Sequence, residues 1–88
     1  MYASQPLRLA ATTSWAALPS LRAESFSVLN RTGSNLLISR TDQTDDTTKR
    51  NTLSDGQGST YRLNGNLSEF SIKGAAADGV EIIAEPTA

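Results

Sequence analysis

The chain has 88 residues, with nine acidic and eight basic side chains for a net charge of −1, and no His or Cys. The absence of Cys excludes disulfide stapling and thiolate zinc sites, and the absence of His removes most acid–base and metal chemistry. One domain of this size buries only about 60–65% of the surface its unfolded chain would expose, so oligomerisation or docking onto a larger partner is the expected source of further stability.

The basic residues stand singly at Arg8, Arg22, Arg31, Arg40, Arg62 and Lys73, with Lys49-Arg50 the one pair. A nucleic-acid partner requires a continuous positive face, which this spacing does not offer. The uncharged stretch Leu9–Leu21 is too short and too rich in Ala, Thr and Ser to span a bilayer. The start, Met1 to Pro6, lacks the positive charge and compact apolar run of a secretory signal, so the protein is expected to stay where it is made until it is assembled.

Residues 1–22 carry spread apolar side chains, Leu7, Leu9, Trp15, Leu18 and Leu21, punctuated by Pro6 and Pro19. A short helix over Thr13–Leu18 would be cut by Pro19 and would not be stable alone. The segment is therefore expected to be an extended N-terminal arm that packs those five residues on a neighbouring subunit. The alternative is a first strand and connecting loop of the same domain.

The β-domain is expected over 23–88. Phe26 and Val28 alternate with Ser25 and Ser27, the period of two that marks a half-buried strand. Asn30-Arg31-Thr32-Gly33 supplies a turn, and Asn35–Arg40 a second strand with Leu36 and Ile38 on one face. Thr41–Asn51 contains no apolar residue and is expected to be a long surface loop. Thr52-Leu53 is a strand fragment, Asp55-Gly56-Gln57-Gly58 a turn, and Ser59–Leu63 a strand through Tyr61 and Leu63. Asn64-Gly65-Asn66 has the commonest hairpin-turn pair, followed by Ser68–Lys73 with Phe70 and Ile72 inward and Glu69, Ser71 and Lys73 outward. After a small-residue loop at Gly74–Gly79, Val80–Ala84 is the last strand, before Pro86. Five or six short strands without helical periodicity predict an all-β fold, a small antiparallel β-sandwich or barrel. Its core is expected to hold Phe26, Val28, Leu36, Ile38, Leu53, Tyr61, Leu63, Phe70, Ile72, Val80, Ile82 and Ile83.

No constellation in the chain points to chemistry. Asp42, Asp45 and Asp46 lack the alternate spacing, central Gly and distant Glu of a calcium loop. Asp55–Ser59 has glycines and a hydroxyl but no following Lys and no helix, both of which a phosphate cradle needs. A hydrolytic triad would have to replace His by another base. We therefore expect no enzyme, no metal and no cofactor. Tyr2, Trp15 and Tyr61 could stack on sugars, which leaves a carbohydrate-binding or host-recognition module as the alternative to a structural role.

Four stretches occur in a suggestive order: Val28-Leu29-Asn30-Arg31-Thr32-Gly33, then Leu36-Leu37-Ile38-Ser39-Arg40, then Leu53-Ser54-Asp55-Gly56-Gln57, then Leu63 to Lys73 with Asn66, Ile72 and Lys73 at matching positions. Together they resemble small β-sandwich virion proteins of tailed bacteriophages, in which a strand ending V-x-N-x-(T)-G is followed by an apolar pair leading to Arg and later by L-x-x-N-x-x-x-x-x-I-(K/R). The resemblance covers rather more than half of the chain and leaves residues 1–22 outside. It implies a head decoration (cement) protein or a head or tail accessory protein on the virion, made in the host cytoplasm, with no catalytic residues. The partner it implies is the phage major capsid protein, and the threefold sites of such shells favour a homo-oligomer, a trimer. An extended arm of this length would span up to roughly 70 Å, enough to tie neighbouring subunits together. The alternative remains a recognition module of a phage fibre or spike.

Overall fold

The computed structural model describes residues 3–85. Eight strands form two four-stranded sheets: β1 (Gln5–Ala11), β2 (Ala16–Ala17), β3 (Arg22–Asn30), β4 (Leu36–Arg40), β5 (Arg50–Leu53), β6 (Gly58–Asn66), β7 (Phe70–Gly74) and β8 (Ala77–Glu85). The first sheet has the order β1-β8-β3-β6 and the second β2-β7-β4-β5. All strand pairs are antiparallel. This is the small all-β sandwich expected from the alternating pattern, and its strand order is that of a double-Greek-key jelly roll.

The core lies between the sheets. Phe26 and Val28 of β3, Val80, Ile82 and Ala84 of β8, Leu36 and Ile38 of β4, Leu53 of β5 and Ile72 of β7 are all buried. Period-two alternation puts each set on one face of its strand. An aromatic trio joins the layers: Phe26 stacks on Tyr61 at 5.4 Å between centroids and meets Phe70 edge-on at 5.1 Å. Such pairs add roughly 0.5–1.5 kcal/mol beyond the area they bury.

Residues 1–22 correct the expectation of an arm and the division of the chain at residue 22. β1 pairs with β8 from Gln5↔Ala84 to Ala11↔Ala77, and β2 pairs with β7 through Ala16↔Ile72. Leu18 is buried in the core, Leu7, Leu9 and Leu21 pack against it, and Ala11 belongs to it. Without β1, the side of β8 facing it would have no strand partner. The weak apolar spacing of the segment reflects an edge strand with one face toward the core and a two-residue strand whose alanines are both exposed, and Pro6 is tolerated because β1 lies at the sheet edge. Met1, Tyr2 and residues 86–88 lie outside the described residues.

Three further readings change. Asn64-Gly65 does not turn the chain, because β6 runs through it to Asn66. The reversal comes at a short 3-10 turn, Leu67–Glu69, closed by a capping box: the Asn66 side chain accepts from the Ser68 N–H, and the Glu69 carboxylate from the Asn66 N–H at 3.0 Å. A β-carbon on Gly65 would meet that Glu69 carboxylate, so a side chain there would displace Glu69 from its place in the capping box. Leu67, Leu18, Ala11, Ala23 and Ala84 join the core, whereas Tyr61, Leu63 and Phe70 sit at its margin and Ile83 points outward.

Asn30, legible in the sequence only as a turn residue, is a fully buried hub. Its side-chain amide donates to the carbonyls of Ser34 (2.7 Å) and Leu53 (2.8 Å), and its oxygen accepts from the Thr32 N–H (3.0 Å) and hydroxyl (2.8 Å). Its backbone carbonyl takes the Gly56 N–H and its N–H gives to Gln57. One residue thus ties the β3–β4 turn to the β5–β6 turn and leaves no buried polar atom of its own unpaired. Beside it, Gly79 bulges out of β8 at φ 120°, where a side chain would drive into the Arg31 carbonyl.

A candidate docking face

A sandwich has two outer faces, and this one treats them differently. On the outside of the β2-β7-β4-β5 sheet, Ser39 and Ser71 are buried although they point away from the core. The loop after β4 folds back over them. Ser39 donates to the Lys49 carbonyl at 2.8 Å, and the Thr41 hydroxyl donates to the Ser68 carbonyl at 2.7 Å, so that Ser71 is the donor in the 2.8 Å Ser71–Thr41 pair. Arg50 donates to the Thr44 carbonyl at 2.8 Å and lays its guanidinium over the Trp15 ring, 5.3 Å from the centroid. Thr41–Lys49 runs over the surface, as its composition predicts, whereas Arg50 and Asn51, expected in the same loop, open β5; the segment covers Ser39 and Ser71 and leaves Ala17 and Thr52 of this sheet exposed. Within it, hydrogen bonds from the Thr48 hydroxyl and N–H hold the Asp46 carboxyl below the usual aspartate range. No cluster of acidic residues that could hold a metal ion occurs among the described residues.

The outside of the β1-β8-β3-β6 sheet carries no such cover. Register places its outward side chains in rows: Glu85, Ser25 and Arg62; then Pro6, Ile83, Ser27 and Thr60; then Arg8, Glu81, Leu29 and Gly58. Ile83 is 47% exposed, the large apolar side chain most open to solvent among the described residues. Pro6, Leu29 and Ile83 line a shallow concavity of about 640 Å³, with Gly58 leaving its floor open at one edge. The rim is polar. Arg8 pairs there with Glu81 at 2.9 Å and with Asp78 at 3.2 Å, while Ser27 and Thr60, in the middle row beside Ile83, share a hydrogen bond of 3.0 Å. These exposed pairs contribute at most about 1 kcal/mol each and serve mainly to keep the rim neutral.

The five residues expected to contact a partner are not brought together here. Leu18 is in the core, Leu7, Leu9 and Leu21 are half-buried against it, and Trp15 lies under Arg50 on the opposite sheet. Tyr61 belongs to the aromatic trio. Ile83, expected in the core, and the half-buried Leu29, which the sequence left unassigned, had a signal for the outer face: each follows a core residue directly, and neighbours along a strand must face opposite ways.

No protein-family model matches the chain, and no curated protein does. Among solved structures, a chain from the work described as "Bacillus endospore appendages form a novel family of disulfide-linked pili" superposes with a TM-score of 0.53 at 10% identity, covering 97% of this chain and 87% of that one. At that identity the likeness shows the fold alone, and it gives no support to a phage role. The linkage named for that protein has no counterpart within a chain that lacks Cys.

Proposed function

We propose that this chain is a non-enzymatic structural subunit that works by protein–protein contact through the bare outer face of the β1-β8-β3-β6 sheet. The observation that carries this reading is the asymmetry of the sandwich: one outer face is partly covered by the chain's own loop, and the other leaves Ile83 and Pro6 open to solvent with Leu29 half-buried beside them. Exposed apolar surface rimmed by polar groups is characteristic of interaction sites.

In its finer form the proposal is a decoration protein of a tailed-phage head, with the major capsid protein as the larger partner and the virion surface as its location. The resemblance over Val28–Lys73 supports this, and jelly rolls are a common build of capsid domains, although the same fold also serves lectins and does not by itself assign a role. The tie between subunits would be the sheet face and not an arm. A protein that binds the assembled shell but not its parts stabilises assembly by mass action. The test is co-sedimentation of the purified chain with assembled heads and with unassembled capsid protein. Binding to heads alone, saturating at a fixed ratio to the major capsid protein, is the expected result. No binding to heads, together with retention on a polysaccharide panel, would replace the proposal with a recognition module.

A further inference from the structure

We infer that Asp78-Gly79 is a site of spontaneous backbone modification, at which the chain isomerises through a cyclic imide to an isoaspartyl bond. The inference is independent of what the bare sheet face binds. Two Asp-Gly pairs occur in the sequence, Asp55-Gly56 and Asp78-Gly79. A glycine after aspartate puts no side chain in the way of ring closure, so composition alone makes the two pairs equals. The fold separates them.

At Asp55-Gly56 both reacting groups are tied elsewhere. The Gly56 N–H donates to the Asn30 carbonyl at 2.6 Å, and Asp55 Oδ1 accepts from the Gly33 N–H at 2.9 Å. At Asp78-Gly79 they are tied to each other. The β1–β8 register passes from Leu9↔Val80 to Ala10↔Asp78 and steps over Gly79, so the Gly79 N–H has no place in that ladder. It is given to its own neighbour, 2.8 Å from Asp78 Oδ1. The Arg8 guanidinium holds Oδ2 from the other side at 3.2 Å, which keeps the carboxyl group turned toward the Gly79 nitrogen. The Asp78 side chain is 66% exposed, so water reaches the site.

The reaction needs no partner but water. The Gly79 nitrogen bonds to Cγ of the protonated Asp78 carboxyl, and the N–H proton leaves with the carboxyl hydroxyl as one water. The Gly79 nitrogen with Cγ, Cβ, Cα and the main-chain carbonyl carbon of Asp78 then forms a five-membered imide. One water reopens it. Attack at Cγ restores the aspartate, whereas attack at the main-chain carbonyl carbon leaves the backbone running through Cβ and Cγ, with the former main-chain carbonyl as the free carboxylate. Nothing is oxidised or reduced. The product carries one more methylene in the backbone beside the bulge, which disrupts the pairs Ala10↔Asp78 and Ala11↔Ala77 and draws the carboxylate away from Arg8. Ala11 is buried in the core, so the change loosens the end of β1 where it meets the core.

The test is to age the purified full chain at about pH 5, where part of an ordinary aspartate population is protonated, both folded and in concentrated urea. Digestion and electron-transfer fragmentation in the mass spectrometer distinguish isoaspartate from aspartate at each position. Asn64-Gly65 reacts with loss of ammonia, so its product differs in mass and is scored apart. In the folded chain isoaspartate should accumulate at position 78 at least about tenfold faster than at 55, where two hydrogen bonds must break first. In urea the two rates should converge. Asp78→Glu keeps a carboxylate facing Arg8 but would have to close a six-membered ring, so it should fold and show no isomer at position 78. Hydrogen exchange at Leu9–Ala11 should be faster in the aged chain than in the fresh one. Equal or faster reaction at Asp55 in the folded chain, a preference for Asp78 that survives in urea, or unchanged exchange at Leu9–Ala11 after conversion would overturn the inference.

Discussion

Replacing Asn30 should damage this protein more than any other single polar substitution. The Asn30 side chain is fully buried and makes four hydrogen bonds spanning two turns. In Asn30→Ala the Leu53 carbonyl loses its donor in a buried setting, a penalty of about 1–3 kcal/mol. The Ser34 carbonyl and the Thr32 N–H and hydroxyl lie nearer the surface, where water can replace part of what is lost, at about 0.5 kcal/mol or more each. The expected total is roughly 3–4 kcal/mol, against a stability on the order of 5 kcal/mol for so small a domain. Urea titration followed by the fluorescence of Trp15, the single tryptophan, measures it. Asn30→Asp sharpens the test, because it keeps the acceptor facing Thr32 but aims a carboxylate at the carbonyls of Ser34 and Leu53. Burial and those carbonyls raise its pKa in the folded state above the unfolded value. Its protonated form can still donate, so the variant should be more stable below the usual aspartate range and lose stability as pH rises through the raised folded value. A loss in Asn30→Ala below about 0.5 kcal/mol, or an Asn30→Asp variant stabilised by rising pH, would refute the hub.

Two further outcomes follow from the packing. Deleting residues 1–18 removes β1, β2 and the buried Leu18, so cooperative unfolding in differential scanning calorimetry should disappear; a deletion variant that still melts as one unit would show the segment to be dispensable to the fold. Phe70→Ala removes an aromatic at the core margin and should cost about 3 kcal/mol, at the lower end for such changes. Ser71→Ala, on the outward face but under the loop, should cost about 1 kcal/mol through the lost bond to Thr41, and equal thermal midpoints for Ser71→Ala and wild type would show that the loop does not seal that face.

Alternation determined the fold class and the inward faces of β3, β4 and β7, because a strand's side-chain period is a local property of the backbone, and turn-favouring residues marked Asn30–Gly33 and Asp55–Gly58. Phe26, Val28, Leu36, Ile38, Ile72, Val80 and Ile82 followed from it directly. What local pattern could not decide was which strands pair. Residues 1–22 read as a detached arm partly because half of β1 faces solvent, and only the antiparallel register with β8, from Gln5↔Ala84 to Ala11↔Ala77, makes that strand part of a sheet. Asn64-Gly65 has the chemistry of a turn, yet pairing of β6 with β3 carries the strand through it and leaves the reversal to the Asn66 capping box. The outer faces were equally hidden. Ser71 and Ile83 both point away from the core, but one is buried by a polar loop and the other is open, a difference set by where Thr41–Asn51 folds back and not by the residues' own polarity. Alternation decides which side of a strand a residue takes, and only tertiary structure decides what, if anything, covers that side.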